Sequence, residues 1–109
     1  MSNMAFAKID DFDRETIEMA EFAGALSHPA RIALLTYLID HPGAPCRDLV
    51  DHLPLSQPSC SRHLSELRKA DLVSATPHGN EVRYELNIER IKLFCDAFRN
   101  SLNRPSCGN

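Results

Sequence analysis

The stretch from Leu55 to Leu72, LSQPSCSRHLSELRKADL, concentrates the side chains with the most to offer chemically. Serine hydroxyls, a glutamine amide and an arginine guanidinium crowd its first half, and such groups hydrogen-bond to phosphate oxygens and base edges. Ser56 presents a side-chain oxygen to the free N–H groups of a helix start. Pro58 suits the first turn, where its missing N–H costs nothing. At about 100° per residue, Cys60, Leu64 and Leu67 fall on one side. Pro58, Ser59, Arg62, Ser65, Glu66 and Lys69 fall on the other. The helix N-terminus adds free N–H donors and positive dipole. An ordinary amphipathic surface helix has the same pattern, so the flanking elements must decide.

Other reactive side chains are scattered. Cys46, Cys60, Cys95 and Cys107 form no C-x-x-C pair, and without a secretory signal a disulfide framework is not expected. Cys46 stands alone near a helix start and reads as a packing residue. Cys60 lies on the leucine side of its helix. Cys95 lies on an apolar stripe and is expected to be buried at a seam between two copies. The alternative is a redox- or metal-responsive protein using Cys46 or Cys95, since oxidation near the polar helix or the seam would switch affinity. Asp48 and His52 are spaced i, i+4 and read as a solvated helical pair before metal ligands. His63 reads as structural, Arg31 as a surface charge, and Arg68 and Lys69 as solvated charges or phosphate contacts. There is no Gly-rich phosphate loop, nucleophile elbow or metalloprotease pair, so no enzyme is expected.

The elements around this stretch supply the context. Asp13 suits a cap for a helix to about Leu26, with acids in its first turn. Ser27-His28-Pro29 restarts the chain, Ser27 as cap and Pro29 early in a helix to about residue 41. That helix is apolar almost all round and is expected to lie at the centre of the core. His41-Pro42-Gly43 stops it. A short helix over about 46–53 turns Leu49, Val50 and Leu53 inward. Two short helices joined by a tight turn form a helix-turn-helix, whose second helix enters the major groove. After Asp71 the period changes to that of a strand. Pro77-His78-Gly79-Asn80 is a turn cluster, and Val82, Tyr84 and Leu86 alternate with polar neighbours, giving a hairpin wing. Asn87 can cap a last helix over about 88–102. Its stripe of Ile88, Ile91, Cys95, Phe98 and Leu102, widened by Phe94 and Ala97, exceeds what so small a core needs and suits a second copy.

The bounds agree. A chain of 109 residues, 43% hydrophobic and 25% charged, fits one globular domain. Residues 1–12 read as a flexible start, 13–102 as the domain and 103–109 as a disordered tail. No run approaches the length of a membrane span, and the start lacks a secretory pattern, so a cytoplasmic location is expected. The net charge is −3, but it is unevenly spread. Residues 1–26 carry six acids against two bases, whereas residues 56–83 carry four bases against three acids. A small, local nucleic-acid footprint is therefore compatible with an acidic chain.

With LSHPARIALLTYL, LSQPSCSRHLSELRKADLV and HGNEVRYEL in view, the chain resembles the ArsR family of bacterial repressors over about residues 20–100. The resemblance implies a mainly α winged helix-turn-helix with a small β-hairpin wing. It implies a homodimer through the N- and C-terminal helices, with two recognition helices on a pseudo-palindromic double-stranded operator. Carried over by position, Gln57, Ser59, Ser61 and Arg62 would face DNA, with Ser56 capping and touching a phosphate. His78, Gly79, Asn80 and Arg83 would serve the wing; apart from the resemblance, the charge of Lys69 suits a phosphate contact. The chemistry agrees, because Gln reads adenine, Arg reads guanine or clamps phosphate, and Gly79 and Asn80 tolerate a hairpin tip's positive φ. Ile17, Ala20, Ile91, Phe94, Cys95, Phe98 and Leu102 would form the seam. The family's metal motif reads E-L-C-V-C-D-L where this chain has Gly43-Ala44-Pro45-Cys46-Arg47-Asp48-Leu49. Pro45 and Arg47 replace its cysteines, and the last helix lacks the zinc-sensing Asp-x-His pattern. No metal or cofactor is expected, and no effector is identified. A winged helix used only for protein contact is the rival reading. It would want apolar anchors where Ser59, Ser61 and Arg62 stand.

Overall fold

The computed structural model describes residues 11–103 as five helices and one small sheet. Most of the expected flexible start and tail, and Cys107, lie outside the described residues. Helix α1 (Arg14–Ala25) begins at the expected cap, where Asp13 Oδ1 accepts from the Thr16 N–H at 2.8 Å. Helix α2 (Pro29–Asp40) is capped by His28 and not by Ser27. His28 Nδ1 accepts from the Ala30 N–H at 3.0 Å, while the Ser27 hydroxyl donates back to the Gly24 carbonyl at 2.7 Å. Ser27 is thus taken up by the open carbonyls that end α1. Helix α2 is also less enclosed than expected. Leu34 and Leu38 are fully buried, whereas Ile32 and Ile39 are exposed.

Helices α3 (Cys46–His52) and α4 (Gln57–Lys69) follow as the helix-turn-helix pair. Leu34, Leu38, Leu49, Leu64, Leu67 and Leu72 meet with almost no exposure. Each fully buried leucine contributes about 1.5–3 kcal/mol of transfer free energy. The core therefore sits directly under the recognition helix and fixes which of its faces looks out.

The hairpin of β2 (Val73–His78) and β3 (Glu81–Leu86) forms the wing. It is joined by an unexpected third strand, β1 (Ala44–Pro45), in the antiparallel order β1-β3-β2. Two residues are too few to show a period, so this strand left no trace in the sequence pattern. Gly43 leads into it with φ +85°, and its N–H donates to the Tyr84 carbonyl at 2.9 Å. The pairings Ala44↔Tyr84 and Pro45↔Arg83 fasten the start of α3 to the wing. Pro77 and His78 belong to β2, so the turn is Gly79-Asn80 alone. Gly79 has φ +65° and Asn80 does not share it, the pattern of a turn that needs glycine only at its first position. Val82, expected inward, is exposed because the wing reaches beyond the core.

The corner between α4 and the wing is tightly specified. The Asp71 N–H donates to the Arg68 carbonyl at 2.9 Å, and the Leu72 N–H to the Leu67 carbonyl at 3.0 Å. This is a Schellman ending, and Asp71 occupies its left-handed position with φ +63°. Asn87 holds the other side, donating through Nδ2 to the Asp71 carbonyl at 3.0 Å. Its Oδ1 accepts from the Arg90 N–H at 3.3 Å and caps α5 (Ile88–Asn103).

Helix α5 packs on α1 of its own chain, with the Phe22 and Phe94 rings stacked 4.4 Å apart. Among the described residues, no single helix is long and apolar enough to cross a membrane.

Candidate nucleic-acid interface

The recognition helix starts as the sequence implies. Ser56 Oγ accepts from the Ser59 N–H at 3.2 Å, and Pro58 lies in the first turn. Cys60, His63, Leu64 and Leu67 are buried beneath. Gln57, Ser61 and Arg62 are exposed and Ser59 is half-buried. Arg62 makes no ion pair or hydrogen bond among the described residues. Its guanidinium is available to a base edge or a phosphate.

The support beneath that face is polar as well as apolar. Arg31, read from sequence as a surface charge, is a structural clamp. Its Nε donates to His63 Nδ1 at 3.1 Å and its Nη1 to the Ala25 carbonyl at 3.3 Å. Since Nδ1 accepts, the neutral His63 ring carries its proton on Nε2. Burial pushes the His63 pKa below its ordinary value, and nearby His28, Arg31 and Arg62 push it the same way. His63 therefore stays neutral and joins α2 to α4, the structural role expected of it.

Cys46 does more than pack. Gln57 Nε2 donates to its sulfur at 3.4 Å, and Ser61 Oγ lies 3.9 Å away. The Cys46 thiol thus steadies two of the side chains assigned to DNA. Beside it is the free thiol of Cys60, whose pKa is pushed up to about 12, first by burial and then by Cys46. Burial likewise raises the Tyr84 phenol beside this pair, with Cys46 adding to the shift. Cys60 is an inert buried thiol. Cys95, expected to be buried, is exposed on this chain. His52 Nδ1 accompanies the Asp48 carbonyl at 2.8 Å and the Tyr37 hydroxyl at 3.2 Å, so the Asp48 side chain and His52 do not converge. Among the described residues, no three metal-ligating side chains come together.

The wing places His78, Gly79 and Asn80 at an exposed tip, with Arg83 on β3. A cleft of about 390 Å³ separates this tip from the recognition helix, lined by Cys46, Arg47, Gln57, Ser61, Asn80 and Glu81 among others. Arg47 and Glu81 were not singled out by the sequence. Glu81 follows Asn80 on the wing, and the β1 pairing, invisible there, holds the start of α3 and hence Arg47 against it. Lys69 lies apart, near the other end of α4. It is paired with Glu66 at 3.2 Å and lines a polar basin with Arg68 and Ser74.

Of the residues assigned to a seam, Ile17 and Ile91 are half-buried in the chain, and Phe94 is buried against Phe22. Ala20, Cys95, Phe98 and Leu102 are exposed, with Phe98 and Leu102 at 58% and 69%. Between α1 and α5 lies an apolar groove of about 430 Å³. Phe94 forms part of its floor, and Met19, Ala20 and Phe98 line it.

A family model described as a helix-turn-helix domain matches residues 26–74. The chain is 35% identical over 72 residues to the arsenical resistance operon repressor of Staphylococcus xylosus, covering 66% of this chain and 68% of that protein. It is 41% identical over 71 residues to the HTH-type transcriptional regulator CmtR of Mycobacterium bovis, covering 62% of this chain and 57% of the relative. The match thus spans little more than half of the mycobacterial protein. Among solved structures, the ArsR-like transcriptional regulator from Rhodococcus sp. RHA1 superposes with a TM-score of 0.71 at 26% identity. That match covers 79% of this chain and 80% of the other.

Proposed function

The chain belongs to the ArsR family of winged helix-turn-helix transcriptional repressors, and on that premise we propose that it acts as a homodimer on a pseudo-palindromic operator. Each copy lays α4 in a major groove. Gln57, Ser61 and Arg62 read base edges or phosphates, and Ser56 and Ser59 anchor the helix N-terminus on the backbone. His78, Gly79, Asn80 and Arg83 carry the wing along the adjacent strand, and Lys69 adds a phosphate contact at the far end of α4. Repression then follows from occupancy of a promoter and requires no chemical step.

The observation that carries this reading is the outward face of α4. It is polar and capped, its Arg62 makes no ion pair or hydrogen bond among the described residues, and a buried leucine layer holds it from behind. The exposed Phe98 and Leu102 and the apolar α1–α5 groove support pairing of two copies. A two-fold pair would bring its recognition helices about 34–36 Å apart, one turn of duplex. The test is DNA affinity across a salt series. The logarithm of affinity should fall linearly with the logarithm of salt, with a slope of about −0.9 per phosphate contacted. Arg62→Ala should cost about 1–3 kcal/mol of operator affinity if Arg62 reads a base. A flat salt response would end the proposal.

A further inference from the structure

Arg47 is the second residue of α3, and its side chain is 71% exposed on the side of the cleft between wing and recognition helix. Its Nη1 donates to Glu81 Oε2 at 2.7 Å. The other oxygen of the same carboxylate, Oε1, lies 3.8 Å from Arg83 Nε. Arg47 Nε is also 3.9 Å from Asp48 Oδ1, a longer and weaker contact. Glu81, at 27% side-chain exposure, therefore rests between two guanidiniums from different elements. The strand pairing Pro45↔Arg83 sets their spacing, because it joins the start of α3 to the wing. Gln57 and Ser61 border the same cleft as Arg47 and Glu81, and Arg83 stands beside Glu81 on the wing, so this carboxylate lies between the two surfaces assigned to DNA.

We propose that the Glu81 carboxylate marks an anion position between Arg47 and Arg83, and that a backbone phosphate of bound duplex takes this position. In the free protein Glu81 keeps both guanidiniums gathered about its carboxylate. In the complex it yields them to the phosphate, whose oxygens accept charge-assisted hydrogen bonds from the same donors. Exposed ion pairs are weakly held, so the exchange is easy. Glu81 thereby restrains affinity for DNA of any sequence, since phosphate contacts carry no base information. Arg47 becomes a backbone-contact residue, and Glu81 a positioning residue that acts through it.

This inference rests on the DNA-binding reading, and one experiment separates the two. Binding of a fluorescein-labelled mixed-sequence duplex of about 30 base pairs, enough for two half-sites, is measured by anisotropy over a salt series. The wild type, Arg47→Ala, Arg47→Lys and Glu81→Gln are compared, each checked for an unchanged circular dichroism spectrum. Arg47→Ala should weaken binding roughly fivefold to tenfold and make the salt slope shallower by about 0.9, while Arg47→Lys largely restores the slope. Glu81→Gln should tighten binding severalfold. If Arg47→Ala failed to fold, the Glu81→Gln result would decide alone. A wild type that binds with a steep salt slope, beside an Arg47→Ala of equal slope or a Glu81→Gln of equal or weaker affinity, would overturn the inference and leave the reading intact. A wild type that ignores the duplex would overturn the reading itself.

Discussion

The corner at Asp71 sets the angle between recognition helix and wing, and its energetics can be worked out. Asp71 is the only non-glycine residue with positive φ among the described residues, at +63°. A left-handed conformation costs an L-residue with a Cβ about 1–2 kcal/mol. Glycine escapes that cost but loses more freedom on folding, which returns about 0.4–1 kcal/mol. Substituting Gly, Asn and Ala in turn keeps charge constant across the set and isolates the backbone. Asp71→Gly should exceed Asp71→Ala in stability by about 1 kcal/mol, with Asp71→Asn between them. For a domain of this size that difference corresponds to about 4–8 °C in melting temperature. Urea denaturation at one fixed protein concentration measures it, with the midpoint shifting and the slope unchanged. The two hydrogen bonds of the corner use backbone groups, so all three variants retain them. An Asp71→Ala protein as stable as Asp71→Gly would refute the reasoning.

His63 gives a pH signature. Its folded-state pKa lies below the ordinary 6.5, so the unfolded chain binds the proton more readily and stability rises with pH. That stability is complete above pH 6.5 and is lost as the pH falls below it toward the folded-state pKa. His63→Asn keeps an acceptor for Arg31 and should flatten the fall in urea midpoint between about pH 7 and pH 5; an unchanged pH profile would assign the fall to other groups. Removing the Asn87 side chain strips the α5 cap and its bond to the Asp71 carbonyl together. Asn87→Ala should therefore destabilise by about 1–2 kcal/mol in the same urea assay, and a loss near zero would count against that double role. Replacing both Phe98 and Leu102 by Glu should give a monomer in analytical ultracentrifugation that still folds, because Phe22 and Phe94 stay stacked within the chain. A dimer of undiminished stability would place the seam elsewhere.

The helix order, the Ser56 and Asp13 caps and the inward leucines were legible because each leaves a local mark: a capping oxygen, an early proline, or an apolar repeat. The recognition face was legible for the same reason, since helical spacing alone separates Arg62 from Leu64. What escaped depends on contacts distant in the chain. Arg31 looked solvated because nothing near it in sequence reveals that His63, thirty-two positions on, accepts from it. Cys46 looked like filler because Gln57 and Ser61 reach it only once α3 and α4 cross. Ser27 looked like the cap of α2, yet two helix ends compete for it and the preceding one wins. The meeting of Arg47 with Glu81 required a two-residue strand to be known first.

That strand has a bearing on solubility. Both rims of the sheet end in proline-bearing segments: Pro45 in β1 and Pro77 in β2. Proline supplies no peptide donor, so neither rim offers a continuous row of open groups to an incoming chain. Fibrous, strand-by-strand stacking of copies is thereby disfavoured, and the exposed Phe98 and Leu102 stand on a helix and not on either rim.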